Sequence, residues 1–197
     1  ICDRHGILLI LDEVMCGSGR TGTFLSCEQD GVVPDIVTLG KGLGAGYQPI
    51  GAVVCTSEVY DTVARGSGAL KHGQTYNAHP VGCAAALAVQ RLIRNEALLD
   101  RVKPAGVRLM SLLTERFGDH PNVGDIRGRG LLQAIELVAD RQTKTPFDPA
   151  LAIHQRAKAD AFDRGLLIYP AGGTVDGRLG DHILLAPPYN VTDDELS

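Results

Sequence analysis

The sequence predicts an α/β fold, and three observations support this prediction. Residues 7–11 form a continuous apolar run of strand length, typical of a strand buried on both faces of a parallel sheet. Residues 34–41 form a second β-rich run, which ends on Lys41 and is followed by closely spaced glycines. Residues 81–92 and 149–164 repeat apolar side chains with a helical period. We therefore expect a mostly parallel sheet in a large domain, followed by a smaller α+β domain.

The domain organisation is predicted from length and composition. A chain of 197 residues fits one large domain or two small ones. Composition shifts near Asn95, so residues 1–95 are assigned to the later part of a large domain and residues 96–197 to a small C-terminal domain. Further strands are predicted at 50–55, 123–138 (as a strand pair or one bent strand), 166–169 and 182–185. Further helices are predicted at 57–64 and 98–112, the second kinked or restarted at Pro104.

Composition and charge exclude several classes of protein. The net charge of −4 gives no electrostatic reason to expect nucleic acid or an anionic membrane surface as a partner. No apolar run reaches the roughly 18–20 residues that span a bilayer. Five scattered cysteines without a Cys-x-x-Cys pair indicate reduced thiols in the cytoplasm rather than disulfides or zinc. His72 and His79 have no second ligand at helical spacing, so no metal site is predicted.

Both ends of the sequence look cut. Gly6 has the place of the glycine that stops a helix, although little sequence precedes it. Residues 192–195 form a capping box, the signal that starts a helix, and only Leu196 and Ser197 follow. The sequence therefore predicts a fragment of a longer protein.

One glycine motif is interpreted as a false positive. Residues 17–22 match the G-x-G-x-x-G fingerprint of dinucleotide-binding proteins. Five residues separate this motif from the preceding strand, no helical period follows it, and the expected ribose-binding acid is missing. A nucleotide-binding function is the disfavoured alternative, and the motif is predicted to be a glycine-built loop that holds Arg20.

The chemistry of the sequence centres on Asp12 and Lys41. Each is predicted at the carboxyl end of its own strand, the end at which open α/β sheets bind ligands. Parallel strands joined by one crossover bring these ends together, and both side chains are expected to be buried. An acid beside an amine, with glycine-lined space between them, is what pyridoxal 5′-phosphate (PLP) requires. A solvated lysine and a solvated loop acid remain the structural alternative.

These residues also carry a family resemblance. Residues 11–14, 19–22, 34–46 and 49–52 resemble the class III aminotransferases, which are fold-type I enzymes that use PLP. The resemblance runs across nearly the whole chain and is most similar to the omega-amino-acid or amine:pyruvate branch. It implies transfer of an amino group from an amine or amino acid to an oxo acid such as pyruvate.

The resemblance also implies roles for individual residues. Asp12 would pair with the pyridine nitrogen of PLP, and Val14 would pack on one face of the ring. Lys41 would form the Schiff base with the cofactor and would act as the general base and acid. Thr75 matches the threonine that reaches the cofactor phosphate of a neighbouring subunit, so the family implies a homodimer with shared active sites.

Substrate recognition is less well specified by the resemblance. Many class III members carry an arginine a few residues before the Pro187-Pro188 pair, but this sequence has Leu184 there. That difference argues against an ornithine- or GABA-type arrangement. Arg178 resembles the mobile arginine of the amine:pyruvate branch, and an exposed loop arginine is the alternative.

Several rival functions remain at this point. An aminomutase and a decarboxylating transaminase use the same cofactor, and a non-catalytic dimerisation module could keep the same fold. The N-terminal half of the family supplies the phosphate-binding loop and the aromatic that stacks on the ring, and this sequence contains neither. We therefore expect the 197-residue chain alone to be inactive or nearly so.

Overall fold

The computed structural model of the protein describes residues 1–197, which form two compact units, Ile1–Leu99 and Asp100–Ser197. The first unit contains a three-stranded sheet and three helices. Its elements in chain order are α1 (Cys2–His5), β1 (Ile10–Asp12), β2 (Ile36–Leu39), β3 (Ala52–Cys55), α2 (Ser57–Arg65) and α3 (Pro80–Asn95). The next helix, α4 (Leu98–Phe117), begins at the end of this unit and continues into the second one.

The sheet of the first unit has the order β1-β2-β3. Strands β1 and β2 run parallel with Asp12 opposite Thr38, so their carboxyl ends lie at the same edge. Strand β3 returns antiparallel to β2, with Ala52 opposite Leu39. The segment between β1 and β2 contains only one short 3-10 helix, Ser26–Asp30. The predicted parallel pairing of the strand that ends at Asp12 with the strand that precedes Lys41 is therefore present. The sheet as a whole has one parallel and one antiparallel pair of strands.

Strand β1 is shorter and more exposed than the sequence predicts. The apolar run begins at residue 7, but the strand covers only Ile10–Asp12. Leu8 is 54% exposed and Ile10 is 59% exposed. The prediction of burial on both faces was wrong for this chain, because no other part of the chain covers these side chains.

Helix α3 starts as the sequence predicts but buries a different face. Pro80 occupies its first turn, and His79 Nδ1 accepts a hydrogen bond of 3.3 Å from the Gly82 backbone N–H. The buried residues are Gly82, Ala86 and Ile93, whereas the predicted stripe placed Val81 and Leu92 inside; both are exposed. The helix packs on the turn after β2, where Gln90 Nε2 donates to the Leu43 carbonyl at 3.0 Å.

The second unit is a four-stranded antiparallel sheet with helices. Its strands have the order β4-β5-β7-β6. The elements after α4 are β4 (Val123–Arg129), β5 (Leu132–Leu137), α5 (Ile153–Asp163), β6 (Tyr169–Gly172), β7 (Asp181–Leu185) and α6 (Asp193–Leu196). Of the two alternatives predicted for 123–138, the strand pair is confirmed as an antiparallel hairpin, and the single bent strand was wrong. The capping box at Thr192 also starts a helix, since its hydroxyl accepts from Glu195 N–H at 3.3 Å.

Helix α4 provides much of the core of the second unit. Val102, Leu109 and Leu113 are buried along one face. The helix continues through Pro104, so of the two alternatives predicted there, a kink and a new start, the new start was wrong. Gly106 allows a close approach to the β4–β5 hairpin, because a Cβ there would lie 2.4 Å from the Gly130 carbonyl oxygen. Buried Gln133 spans the same contact and donates to the carbonyls of Gly106 (2.6 Å) and Gly130 (3.0 Å).

Two element boundaries in the second unit differ from the prediction. The helix predicted at 149–164 is a 3-10 turn, Pro149–Leu151, followed by α5, and the break lies at Ala152 with φ +47°. The strand predicted at 166–169 is instead β6, shifted toward Gly172, because it pairs with β7 from Tyr169 onward. None of the helices combines the length and apolar character that crossing a bilayer requires.

Candidate active site

Asp12 closes β1 and is held through one of its two carboxylate oxygens. Its Oδ1 accepts hydrogen bonds from the Val14 backbone N–H (2.9 Å) and the Thr38 hydroxyl (3.3 Å). Its Oδ2 accepts none and faces solvent, since Asp12 is exposed. Asp12 is therefore an oriented carboxylate with one oxygen available to a further donor.

Glu13, the next residue, has the opposite environment. Its side chain is 3% exposed. Its Oε1 accepts from the Cys27 N–H at 2.9 Å, and its Oε2 accepts from the Ser26 N–H at 2.9 Å and from the Cys16 thiol at 3.3 Å. A buried carboxylate is costly unless it is hydrogen-bonded, and both oxygens of this one are. Glu13 thus ties the end of β1 to the 3-10 helix at Ser26–Asp30.

The same carboxylate changes the chemistry of two cysteines. Desolvation, followed by the hydrogen bond to Glu13 and its negative charge, raises the pKa of the Cys16 thiol to about 11. Desolvation and the charge of Glu13 also raise the pKa of the buried Cys27 thiol. Both residues therefore stay protonated at neutral pH and are poor nucleophiles.

Lys41 lies two residues beyond the end of β2. The strand ends at Leu39, Gly40 is extended, and Lys41 begins a 3-10 turn, Lys41–Leu43, with φ +36°. A positive φ is uncommon for a residue other than glycine, and such conformations cluster at functional sites. The Lys41 side chain is exposed, and its ammonium has no hydrogen-bond or ion-pair partner.

The expectation of two buried side chains was wrong for this chain. Both Asp12 and Lys41 are exposed, because each lies at or beyond the end of its strand at an open edge of a three-stranded sheet. The parallel register nevertheless places them at that same edge, since Asp12 is opposite Thr38 and Lys41 follows three residues later.

Val14 packs against Gly40, the residue that directly precedes Lys41. A Cβ added to Gly40 would lie 3.3 Å from Val14 Cγ1, so the valine covers the residue that precedes the lysine. Farther along the turn, a Cβ at Gly44 would lie 2.8 Å from Ile50 Cγ2. Small residues are thus required at positions 40 and 44, because Val14 and Ile50 occupy the space that a side chain there would need.

Thr75 is an exposed residue of the same unit. It lies in a turn between α2 and α3, within an exposed stretch that runs from residue 71 to residue 80. Thr75 forms no hydrogen bond with Asp12 or Lys41 within the chain.

Arg178 belongs to the second unit and lies in the loop between β6 and β7. The loop is held by its own hydrogen bonds, because Asp176 Oδ1 accepts from the N–H groups of Arg178 (2.9 Å) and Leu179 (2.7 Å). These two bonds lower the pKa of the Asp176 carboxyl below its ordinary value. The Arg178 side chain is exposed on this ordered backbone.

An apolar groove lies elsewhere in the second unit. It has a volume of about 620 Å³ and is bounded by α4, residues 166–169, the end of β7 and α6. Leu184, which stands where many family members have an arginine, lines this groove. The groove contains none of the predicted site residues. No three metal-ligating side chains come together anywhere in the structure.

The sequence did not identify two residues that shape the candidate site. Thr38 donates to Asp12, but only the strand register reveals this, because the two residues are 26 apart. Only a weak sequence signal indicated the role of Glu13: an acid directly after an apolar strand is costly to bury unless it has a hydrogen-bond partner. The residues that supply this partner, Ser26 and Cys27, act through backbone N–H groups that no side-chain pattern marks.

The comparisons with known proteins identify the family. The family model described as "Aminotransferase class-III" matches residues 1–197, and the chain belongs to that family. It is 48% identical over 197 residues to a protein named "Aminotransferase" from Gibberella zeae. It is 41% identical over 199 residues to an adenosylmethionine-8-amino-7-oxononanoate aminotransferase from Nitratidesulfovibrio vulgaris. These matches cover 100% of this chain but only 39% and 35% of the two relatives.

A solved structure supports the fold. An amine transaminase from an uncultivated Pseudomonas species, in its PLP-bound form, matches with a TM-score of 0.89 and 40% identity. The match covers 99% of this chain and 43% of that one. The predicted α/β fold of the fold-type I PLP enzymes is therefore confirmed, and class III aminotransferases depend on PLP.

The residues present fit part of a PLP site. A protonated pyridine nitrogen needs an oriented carboxylate oxygen, which Asp12 Oδ2 offers. The cofactor aldehyde needs a free amine, and Lys41 has no other partner.

Proposed function

We propose that the complete protein transfers an amino group from an amine or amino acid to an oxo acid such as pyruvate. One observation carries this proposal: Asp12, with a free carboxylate oxygen, and Lys41, with an unpaired ammonium, lie at the same edge of the sheet. Family membership supports amino-group transfer, and the similarity to an amine transaminase favours the amine:pyruvate branch.

Three residues of the first unit are proposed to hold PLP. Asp12 Oδ2 would accept a hydrogen bond from the ring nitrogen, Val14 would pack on the ring, and Lys41 Nζ would hold the aldehyde group of the cofactor. When bound, PLP would supply an electron sink that stabilises negative charge at the substrate carbon. Lys41 Nζ would also be the base that takes a proton from that carbon.

The remaining assignments are also proposals. Thr75 is proposed to bind the cofactor phosphate of a neighbouring subunit in a homodimer, which agrees with its exposed position and lack of a partner in its own site. Arg178 is proposed to bind a substrate carboxylate. Residues 1–95 are proposed as the later part of the PLP-binding domain, residues 96–197 as the small C-terminal domain, and the cytoplasm as the location of the protein.

The first experiment tests the role of Lys41 in the full-length protein. Borohydride reduction fixes PLP to the lysine that holds it, and peptide mapping by mass spectrometry identifies that lysine. We expect the label on Lys41 and its loss in Lys41→Ala. Lys144→Ala is the matched control, because Lys144 is also exposed and also has a positive φ of +55°. A label on any other lysine in the wild-type protein would contradict the assignment.

A second experiment separates the rival reactions. The full-length protein is incubated with one amine donor at a time, first without and then with pyruvate. A transaminase forms alanine only when both are present. An aminomutase forms an isomer of the donor without any acceptor, and a decarboxylating transaminase releases carbon dioxide. No reaction and no bound PLP would instead favour a non-catalytic module.

The 197-residue chain alone is proposed to be inactive or nearly so. It covers 39% of the Gibberella relative and 43% of the matched transaminase structure, and its Asp12 and Lys41 side chains are exposed to water. Purified chain supplied with PLP, donor and pyruvate should give no measurable alanine. Turnover comparable to that of the full-length protein would refute this proposal.

A further inference from the structure

We infer that Glu13 is a positioning residue, which fixes the carboxylate of Asp12 and the side chain of Val14 where the cofactor ring binds. This inference rests on the proposed function, since it assumes that Asp12 is the partner of the pyridine nitrogen. Glu13 does not itself reach the open edge of the sheet, because its side chain is 3% exposed and points to the loop at Ser26 and Cys27.

The side chain of Glu13 is fixed by three donors. Two are the backbone N–H groups of Ser26 and Cys27, each at 2.9 Å, and one is the Cys16 thiol at 3.3 Å. Hydrogen bonds to an ionised acceptor are stronger than neutral ones, and burial strengthens them further. The carboxylate is therefore an anchor between the end of β1 and a distant part of the loop.

The main chain of Glu13 is fixed as well. Its N–H donates to the Thr38 carbonyl at 3.0 Å, which extends the β1–β2 ladder by one residue. Its own carbonyl accepts from the Gly17 N–H at 2.9 Å. A Cβ at Gly17 would lie 2.6 Å from that carbonyl oxygen and 3.0 Å from Leu39 Cδ2, so the turn has no free space. Residue 13 thus cannot shift without displacing its neighbours.

Both neighbours are the residues proposed to contact PLP. Asp12 is held only through Oδ1, and one of its two donors is the N–H of Val14, on the other side of Glu13. Val14 in turn packs on Gly40, directly before Lys41. A displacement of Glu13 would therefore change the direction of Asp12 Oδ2 and the packing beside the reactive lysine.

The principal variant is Glu13→Gln in the full-length protein. The amide keeps the shape of the side chain but replaces one acceptor oxygen by an NH₂ group, which faces a backbone N–H or the thiol. We expect the variant to bind PLP. We expect kcat to fall roughly tenfold with little change in KM, because a misplacement of about 1 Å costs about 100-fold in rate and the shift expected here is smaller.

The decisive measurement is the pH dependence of the visible absorbance of bound PLP, which responds to the contact at the ring nitrogen. We expect the midpoint of this pH titration to shift in Glu13→Gln in the same direction as in Asp12→Asn, but by a smaller amount. Glu28→Gln is the matched control, because Glu28 is an exposed carboxylate of the same loop that accepts from the Leu25 N–H at 2.7 Å and does not contact residues 12–14. Its midpoint and kcat should equal those of the wild type.

A second variant tests the inference if Glu13→Gln fails to fold. Ser26→Pro removes one of the two backbone donors to Glu13 and leaves the carboxylate intact. Proline is tolerated here, since Ser26 is the first residue of its 3-10 helix and Leu25 before it is extended with ψ +137°. We expect a shift of the midpoint in the same direction as in Asp12→Asn.

The outcomes separate this inference from the proposed function. A shift in Asp12→Asn without a shift in Glu13→Gln or Ser26→Pro would overturn the inference and leave the proposed function intact. A wild-type protein that binds no PLP, or an Asp12→Asn variant with an unchanged midpoint, would overturn both. Lower thermal stability of Glu13→Gln with a wild-type midpoint and kcat would show a purely structural role and would also overturn the inference.

Discussion

Asp12 and Glu13 are adjacent carboxylates with opposite surroundings. Asp12 is exposed and keeps one oxygen free, whereas Glu13 is buried and uses both oxygens. Two consecutive residues at the end of a strand point to opposite faces, which is why one reaches the open edge and the other the interior. Asp12, the proposed cofactor contact, and Glu13, the residue inferred to fix its position, are therefore adjacent in the sequence.

The raised pKa of Cys16 predicts a loss of stability at alkaline pH. The folded thiol has a pKa of about 11, whereas an unperturbed thiol has a pKa of 9.0. Between these values the unfolded chain loses the proton and the folded chain keeps it, so the free energy of unfolding falls as pH rises from about 9 to about 11. Below about pH 9 both the folded and the unfolded chain keep the thiol proton, so the full stability of the fold is retained there.

The comparison of wild type with Cys16→Ser isolates this contribution, because serine keeps a hydroxyl donor for Glu13 and does not titrate in this range. Urea unfolding at pH 8, 9.5 and 11 should show the wild type losing stability relative to Cys16→Ser as pH rises. A difference between the two proteins that stays constant with pH would contradict the prediction.

At the scale of single residues, the sequence identified chemistry better than environment. Asp12 and Lys41 were predicted as site residues from their residue types and order, and Val14 from the family resemblance; the structure places all three at one edge of the sheet. Their exposure was not predicted, because burial depends on which strands border β1 and on what covers the sheet. The contact of Thr38 with Asp12 depends on strand register, which hydrogen-bonded pairing sets and sequence spacing does not reveal.

Helix α4 shows how one element depends on close backbone contact. Gly106 lies where the helix crosses the β4–β5 hairpin, and its missing side chain lets the Gly130 carbonyl approach. The sequence predicted the apolar period of this helix correctly, since Val102 and Leu109 are buried. It did not predict that a glycine within the helix would be the contact point.

We predict that Gly106→Ala destabilises the protein although alanine favours helices. The added Cβ would lie 2.4 Å from a backbone oxygen, and such overpacking costs about 1–3 kcal/mol, which exceeds the roughly 1 kcal/mol gained in helix propensity. Gly82→Ala in α3 is the matched control, because its Cβ would meet only the Pro49 carbonyl oxygen at 3.7 Å.

Thermal unfolding followed by circular dichroism measures both variants. The melting temperature should fall in Gly106→Ala and stay the same or rise by a few degrees in Gly82→Ala. An equal rise in both would show that the contact with Gly130 relaxes without cost.

Element boundaries explain most of the differences between the predicted and observed folds. Helix α3 has enough alanines that several faces look apolar, and the buried one is set by contacts with the turn after β2. Strand β6 is displaced because pairing with β7, rather than hydrophobicity, determines where the strand begins. The local pattern of apolar residues in a sequence reveals neither the contacts that a helix makes nor the partner with which a strand pairs.

At the scale of the whole molecule, the chain exposes apolar side chains on its first sheet. Val53 is 72% exposed and Val54 is 53% exposed on β3, an edge strand, and Ile10 is 59% exposed on the opposite edge. Sheets that contain parallel strands are normally covered on both faces. The relatives are more than twice as long as this chain, so the complete protein contains further residues that can cover these positions.

We therefore predict that the isolated chain binds the hydrophobic dye ANS more strongly than the full-length protein does, because large exposed apolar surfaces mark interaction sites. Replacing both Val53 and Val54 by threonine should lower the dye fluorescence of the isolated chain, since threonine suits a strand but is less apolar. Val107→Thr is the control, because Val107 is also 72% exposed but lies on helix α4. Equal dye binding by the chain and the full-length protein would contradict the prediction.

The backbone conformation of Lys41 has a consequence for protein engineering. With φ at +36°, position 41 suits glycine better than any side-chain-bearing residue, so the fold and the proposed chemistry have conflicting requirements at this position. We expect Lys41→Gly to melt at a higher temperature than Lys41→Ala, with neither binding PLP covalently. Lys144→Gly should give a similar thermal gain without loss of activity. Selection for thermal stability alone would therefore drive position 41 toward glycine, and a stability-guided redesign of this family must hold that lysine fixed.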